Sequence, residues 1–242
     1  MSAEFTPLPG QTAIPGCEPT VGADNTAEVN AVLAEVALSA RAPFDAYPTP
    51  QAFADGVARR VREILPYPPA MIVEPSAGTG AFVRAIKPLW PDVPIIAVEV
   101  QPGLDTALYE AGATSVSIAN WIDVAEAVQR TALPTPWLII GNPPYLEAVE
   151  HIDAALRIMQ HGEWLAFLLR INFFGSNGRR GFWAKKKDRL KYLIPFTQRP
   201  KFRNNKSDAT EYGVFIWEKG YTGNAEVLPN MDIAEELVRE KE

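Results

Sequence analysis

The stretch Met71-Ile-Val-Glu-Pro-Ser-Ala-Gly-Thr-Gly-Ala-Phe82 decides the fold. Its three leading apolar residues are strand-like. Gly78 and Gly80 then turn the chain into a helical run holding Val83 and Ile86. Glycines at such a turn let the backbone bend sharply and let a ligand approach the main chain. A lone glycine pair is weak evidence, so what the turn lacks matters more. A dinucleotide fingerprint would place a third glycine where Val83 stands, and a P-loop would end in Gly-Lys-Ser/Thr, whereas Gly80 precedes Ala81.

Outward from this turn, short apolar runs recur at Ile95–Val98, Ser115–Ile118, Leu138–Ile140 and Leu165–Leu169. Helical patterns separate them, the clearest from Leu146 to Met159. Strands apolar on both faces and alternating with helices indicate a parallel sheet covered on each side. The spacing of Phe53, Val57, Val61 and Ile64 predicts a helix, with Thr49 as its N-cap and Pro50 at its first position. Late in the chain, Gly213–Trp217 reads as a strand, in an antiparallel hairpin with Tyr192–Phe196, and Ile233–Lys241 as a helix. Residues 1–26, rich in Pro, Gly and Thr, read as disordered, and Asn30–Ala40 as a short helix. One α/β domain over 27–242, with a basic insertion at about 170–206, is the economical organisation.

At 242 residues, 47% hydrophobic and 21% charged, the chain can bury one sizeable core. A single cysteine, Cys17, excludes an internal disulfide. No apolar run reaches the roughly 18 to 20 residues needed to span a bilayer, and no signal peptide is evident. A soluble, cytoplasmic protein is expected.

The net charge of −6 argues against a polyanionic partner until its distribution is considered. Arg170–Lys206 holds twelve Lys or Arg against one acid, Asp188, so it carries +11 and the rest of the chain −17. A charge run is usually a solvated face. Here acidic partners are missing within the run. The predicted nucleic-acid contacts are Arg179, Arg180, Lys185, Lys186, Lys187, Phe202 and Arg203, with Phe173, Phe174, Phe182 and Trp183 shared between base stacking and core.

Two further signals carry chemistry. Glu99 closes the strand Ile95–Val98, where an acid can accept hydrogen bonds from two ribose hydroxyls. The alternative is an exposed strand-end carboxylate. Asn142-Pro-Pro-Tyr145 directly follows the strand ending at Ile140. Its prolines stiffen the loop and remove two N–H donors, so Asn142 and the loop carbonyls serve as acceptors. That suits a planar amine conjugated to a ring. Acceptors taking its N–H groups favour a pyramidal nitrogen whose lone pair can meet an electrophilic methyl group, and Tyr145 would stack on the ring. His151 and His161 read as surface histidines, and no metal-ligand spacing is evident.

Together these segments resemble the amino-methyltransferases, whose members methylate adenine, or less often cytosine, in DNA. The resemblance covers about residues 45–220 and is nearest to compact enzymes of phage and prophage type. It implies a Rossmann-like class I fold, S-adenosylmethionine as cofactor without a metal, and double-stranded DNA with a flipped target base. Tyr47, Thr49 and Pro50 match the segment touching the methionine end of the cofactor. Glu74, Ser76, Ala77, Gly78 and Gly80 match the cofactor loop, Glu99 the ribose acid, and Asn142, Pro143, Pro144 and Tyr145 the catalytic loop, Asn142 also meeting the cofactor. Asn120 and Trp121 stand where the family has an acid and a bulky residue beside the cofactor adenine. Only about 25 residues follow Trp217, so no large target-recognition domain is expected. Methylation of a protein glutamine, or of an RNA base, would use the same loop. A catalytically silent nucleic-acid-binding subunit is the alternative of another class. Recognition sequence and oligomeric state are not legible.

Overall fold

The computed structural model describes residues 48–128, 134–185, 187–202 and 210–233. Tyr47, Lys186, Arg203, the N-terminal segment with its expected helix, and the expected terminal helix beyond Ile233 lie outside the described residues.

Helix α1 (Gln51–Ile64) forms where Phe53, Val57 and Val61 recur at four-residue spacing, and all three are buried. Burial of each such side chain contributes about 1.5–3 kcal/mol. The helix ends at Leu65, which is extended because Pro66 follows it. Thr49 does not cap it: the N-cap is Pro50, without a side-chain hydrogen bond.

The chain then alternates through β1 (Met71–Glu74), α2 (Ala81–Ile86), β2 (Ile95–Glu99), α3 (Asp105–Glu110), β3 (Ser115–Ile118), α4 (Trp121–Ala127), β4 (Trp137–Gly141), α5 (Ala148–Ile158) and β5 (Trp164–Arg170). Two short 3-10 turns and α6 (Arg180–Trp183) lead to β6 (Leu190–Pro195), β7 (Tyr212–Glu218) and the short β8 (Glu226–Val227). One eight-stranded sheet runs β3-β2-β1-β4-β5-β7-β6-β8. The first five strands are mutually parallel, and β7 is antiparallel to both neighbours.

The predicted antiparallel pair is present, with Ile194 opposite Val214, but a long connection replaces a tight turn. β8, parallel to β6, was not anticipated: two exposed residues carry no periodic signal. Residues 190–195 of the basic segment are β6, an integral strand, so the segment is not wholly an insertion.

Strands β1 and β4 are buried on both faces, which explains their uninterrupted apolar runs. Ile72, Leu138 and Ile140 join Phe53, Val57, Phe82 and Ile86 in one core layer. Val73, Ile139 and Phe167 join Trp121, Ile152 and Leu156 in the other. The chain leaves β1 toward β2 on one side and later returns to β4 on the other. The carboxyl ends of β1 and its neighbours therefore form a topological switch point, where sheets of this kind bind ligands.

Candidate active site

Each candidate loop follows the carboxyl end of a strand at that switch point. After β1, Gly78 (φ +51°) and Gly80 (φ +87°) adopt left-handed backbone. A Cβ on Gly78 would meet nothing within 4 Å, whereas one on Gly80 would lie 2.7 Å from Ala111 Cβ. Gly78 thus leaves space beside the loop, and Gly80 permits close packing against the end of α3.

Glu99 is only 4% exposed, which excludes the exposed strand-end reading. Gly78 N–H donates to its Oε2 at 2.6 Å, and Gln101 N–H donates to Oε1 at 2.8 Å. The carboxylate therefore locks the glycine turn onto the end of β2. Oε2 keeps capacity to accept a further hydrogen bond.

Glu74 is buried at the end of β1, where its Oε1 accepts from Ser76 N–H at 3.0 Å. Gly141 faces it from β4, where any Cβ would collide with the Glu74 carboxyl. Burial pushes this carboxyl up to about 8, opposed by the Ser76 hydrogen bond and reinforced by the charge of Glu99. Near neutral pH it is mostly protonated.

After β4, Asn142 Nδ2 donates to Thr49 Oγ1 at 3.1 Å. The hydroxyl expected to cap α1 instead ties the N-terminal segment to the Asn-Pro-Pro-Tyr loop. Tyr145 packs beside Tyr212 and Phe202, with ring centroids 5.8 and 6.3 Å away. The Arg170 guanidinium lies 4.8 Å from the centre of the Tyr145 ring.

One cavity of about 280 Å³ gathers Thr49, Glu74, Ser76, Ala77, Gly78, Glu99, Asn120, Trp121 and all of Asn142–Tyr145. Pro50 and Gly80 are not part of its wall. Pro48, within the expected N-terminal segment, also lines it, as do Val100, Gln101, Leu104, Glu147 and His151, which were not anticipated. His151 is 4% exposed, so it is not a surface histidine. It belongs to the buried stripe of α5 with Ala148, Ile152 and Ala155, and a histidine within that helical periodicity is the signal that could have found it. Asn120 caps α4, its Oδ1 accepting from Ile122 N–H at 2.8 Å.

The basic segment finds acids elsewhere in the chain. Lys185 pairs with Asp153, Lys191 with Glu218 and Arg199 with Glu211. Asp188 pairs with Lys219. Arg179 donates to the carbonyls of Asn172, Phe173 and Gly175, holding the turn after β5. Arg180, Lys187 and Arg189 are exposed. Phe173 is core, and Phe182 and Trp183 pack against it; Phe174 is 42% exposed and stacks on Trp183. Phe202 lies beside Tyr145 and so next to the cavity. Among the described residues no group of three or more His, Cys, Asp or Glu could hold a metal ion. No described helix is long and apolar enough to cross a membrane.

A class I S-adenosylmethionine-dependent methyltransferase of Listeria monocytogenes superposes with a TM-score of 0.60 at 14% identity, covering 88% of this chain and 75% of that one. The fold is that of the class I methyltransferases. The methyltransferase subunit of a type I restriction-modification system from Streptococcus thermophilus matches with a TM-score of 0.59 at 15% identity, over 77% of this chain and 47% of that subunit. In sequence, the type II methyltransferase M.XamI of Xanthomonas campestris pv. amaranthicola is 37% identical over 92 residues, which are 35% of this chain and 16% of that protein. The chain thus matches only a small part of that relative's length. No protein-family model matches the chain.

Proposed function

We propose that the chain is an S-adenosylmethionine-dependent DNA methyltransferase acting on the exocyclic N6 of adenine. What carries this reading is the meeting of the Gly78 turn, Glu99 and Asn142–Tyr145 at one cavity, with Asn142 positioned by Thr49. The names of a solved neighbour, a restriction-modification methyltransferase subunit, and of the sequence relative, a type II methyltransferase, support the same reading.

The cavity suits the cofactor. Gly78 leaves open the space that a side chain would fill, and the buried Glu99 carboxylate can accept from a ribose hydroxyl. The Glu99 carboxylate gives the wall negative character that favours a cation, while the protonated Glu74 adds a hydrogen-bonding carboxyl. Bound there, S-adenosylmethionine supplies an electrophilic methyl group. The protein's own work falls on the acceptor. The Asn142 side-chain oxygen and a carbonyl of the loop each take one N–H of the target amine, which localises the nitrogen lone pair. Tyr145, its ring backed by Phe202 and Tyr212, holds the flipped base by stacking. Exposed Arg180, which follows the turn after β5, supplies a phosphate contact. Positioning and directed hydrogen bonds carry the catalysis.

The test is incubation of DNA with the protein and methyl-labelled cofactor, digestion to nucleosides, and identification of the labelled one by mass. Label on N6-methyladenosine is expected. Label on cytosine would reassign the base. Parallel arms with RNA and with protein decide the substrate class, and label only on protein glutamine would overturn the DNA reading.

A further inference from the structure

His151 has no task in the reaction outlined above, yet it is buried in the cavity wall. The carbonyl of Glu147 receives two hydrogen bonds from it, one from its backbone N–H at 2.9 Å and one at Nδ1, also at 2.9 Å. A carbonyl can only accept, so Nδ1 carries the proton. Burial holds the imidazole below its usual titration range, opposed by the Glu147 carbonyl and by the carboxylates of Glu147 and Glu150. The ring is therefore neutral, and Nε2 presents a bare lone pair. Among the described residues no donor meets it.

The surroundings say which part of a ligand reaches that lone pair. Trp121 donates its indole N–H to the His151 carbonyl at 3.2 Å, so the two residues are neighbours across α4 and α5. Val100 and Pro144 also line the cavity and add apolar surface suited to a flat ring. Glu99 stands at the end of the adjacent strand, where a ribose would be held. The polar stretch, Glu74, Ser76 and Thr49, takes the charged amino-acid end of the cofactor, which leaves the purine for the Trp121 side. A 6-aminopurine brings N–H donors with it. Asn120, another polar side chain of the wall, accepts the Ile122 N–H with one of the two lone pairs of its Oδ1.

We propose that His151 Nε2 accepts a hydrogen bond from the purine 6-amino group of S-adenosylmethionine and so selects an adenine nucleoside in the cofactor. This deepens the cofactor reading above and rests on it. A bare acceptor also disfavours a 6-oxopurine, because lone pair would face lone pair.

The experiment is calorimetry with two probes, S-adenosylhomocysteine and its counterpart carrying hydrogen in place of the 6-amino group. The native protein should prefer the amino compound by roughly three- to tenfold, the worth of one neutral hydrogen bond. His151→Asn keeps a donor for the Glu147 carbonyl but withdraws the acceptor, and should bind both probes alike, at the native affinity for the deaminated one. His151→Gln extends an acceptor to the Nε2 position and should keep the preference. A native preference that survives in His151→Asn would overturn the proposal, as would a native protein showing no preference. Equal weakening of both probes by both substitutions would show that His151 only packs. Failure of the native protein to bind either probe is a separate result, which removes the cofactor reading and this inference together.

Discussion

Asn142 Nδ2 donates to Thr49 Oγ1, and its side-chain oxygen is the acceptor proposed to meet the target amine. Asn142→Ala removes that oxygen and the tether to Thr49, and leaves in place the Gly78 turn and Glu99 proposed to hold the cofactor. Turnover should fall by roughly 100-fold or more, the loss typical of a preorganised polar partner in a transition state. Calorimetry should find S-adenosylmethionine affinity close to native, and a normal single-turnover rate would sink the mechanism. Glu74 makes a different claim, on stability. Its carboxyl titrates near 4.5 when unfolded and at about 8 in the native chain. Between those values the native state holds a proton that the unfolded state has released. The stabilisation is complete below pH 4.5 and is lost progressively as pH rises to 8. At about 1.36 kcal/mol per unit, the loss is about 5 kcal/mol over that window. Glu74→Gln cannot ionise, so the ligand-free variant should show a flatter melting temperature between pH 5 and 8. An unchanged pH profile would mean that Glu74 is already ionised in the native state.

At the scale of elements, Gly78 and Gly80 share one turn but serve different partners. Each has positive φ, so alanine at either costs about 1 kcal/mol in backbone strain. At Gly80 the new Cβ would also stand 2.7 Å from Ala111 Cβ and push on the end of α3. At Gly78 it would enter open space by the cavity. Gly80→Ala should therefore lower the melting temperature more, while Gly78→Ala should weaken cofactor binding more. Equal effects of the two on both measurements would show that the turn acts as one structural unit. The glycine turn, Glu99 and the Asn142–Tyr145 loop are legible in the sequence because each follows a strand whose apolar run marks it unambiguously. Thr49 is not, because a hydroxyl one residue before Pro50 has the local look of a cap, and only the tertiary fold brings Asn142 to it. His151 escapes for a related reason: nothing near it in sequence states that α5 turns that face toward Trp121. β8 has too few buried residues to leave a pattern at all.

Over the whole molecule, the positive charge of residues 170–206 does not act as one patch. β5 ends at Arg170, at the same end of the sheet as the Asn142 loop, and the turn anchored by Arg179 follows it directly. Arg180 comes next in the chain. Leu190 pairs with Trp217, which pairs with Leu165 near the opposite end of β5. Lys187 and Arg189 therefore lie toward the far end of the sheet, about 20 Å away along a strand of this length. Lys191 is nearer that far end too, and Glu218 already neutralises it. A duplex whose target base enters beside Tyr145 should consequently meet Arg180 first. Arg180→Glu should weaken DNA binding to all sequences alike and reduce the salt dependence by a little under one unit for each phosphate it no longer neutralises. Arg189→Glu should do less, and Lys191→Gln should leave the salt slope unchanged. Titrations of a fluorescent duplex at several salt concentrations separate the three. If Arg189→Glu flattens the slope as much as Arg180→Glu does, the duplex extends along the full height of the sheet and touches its far end as well.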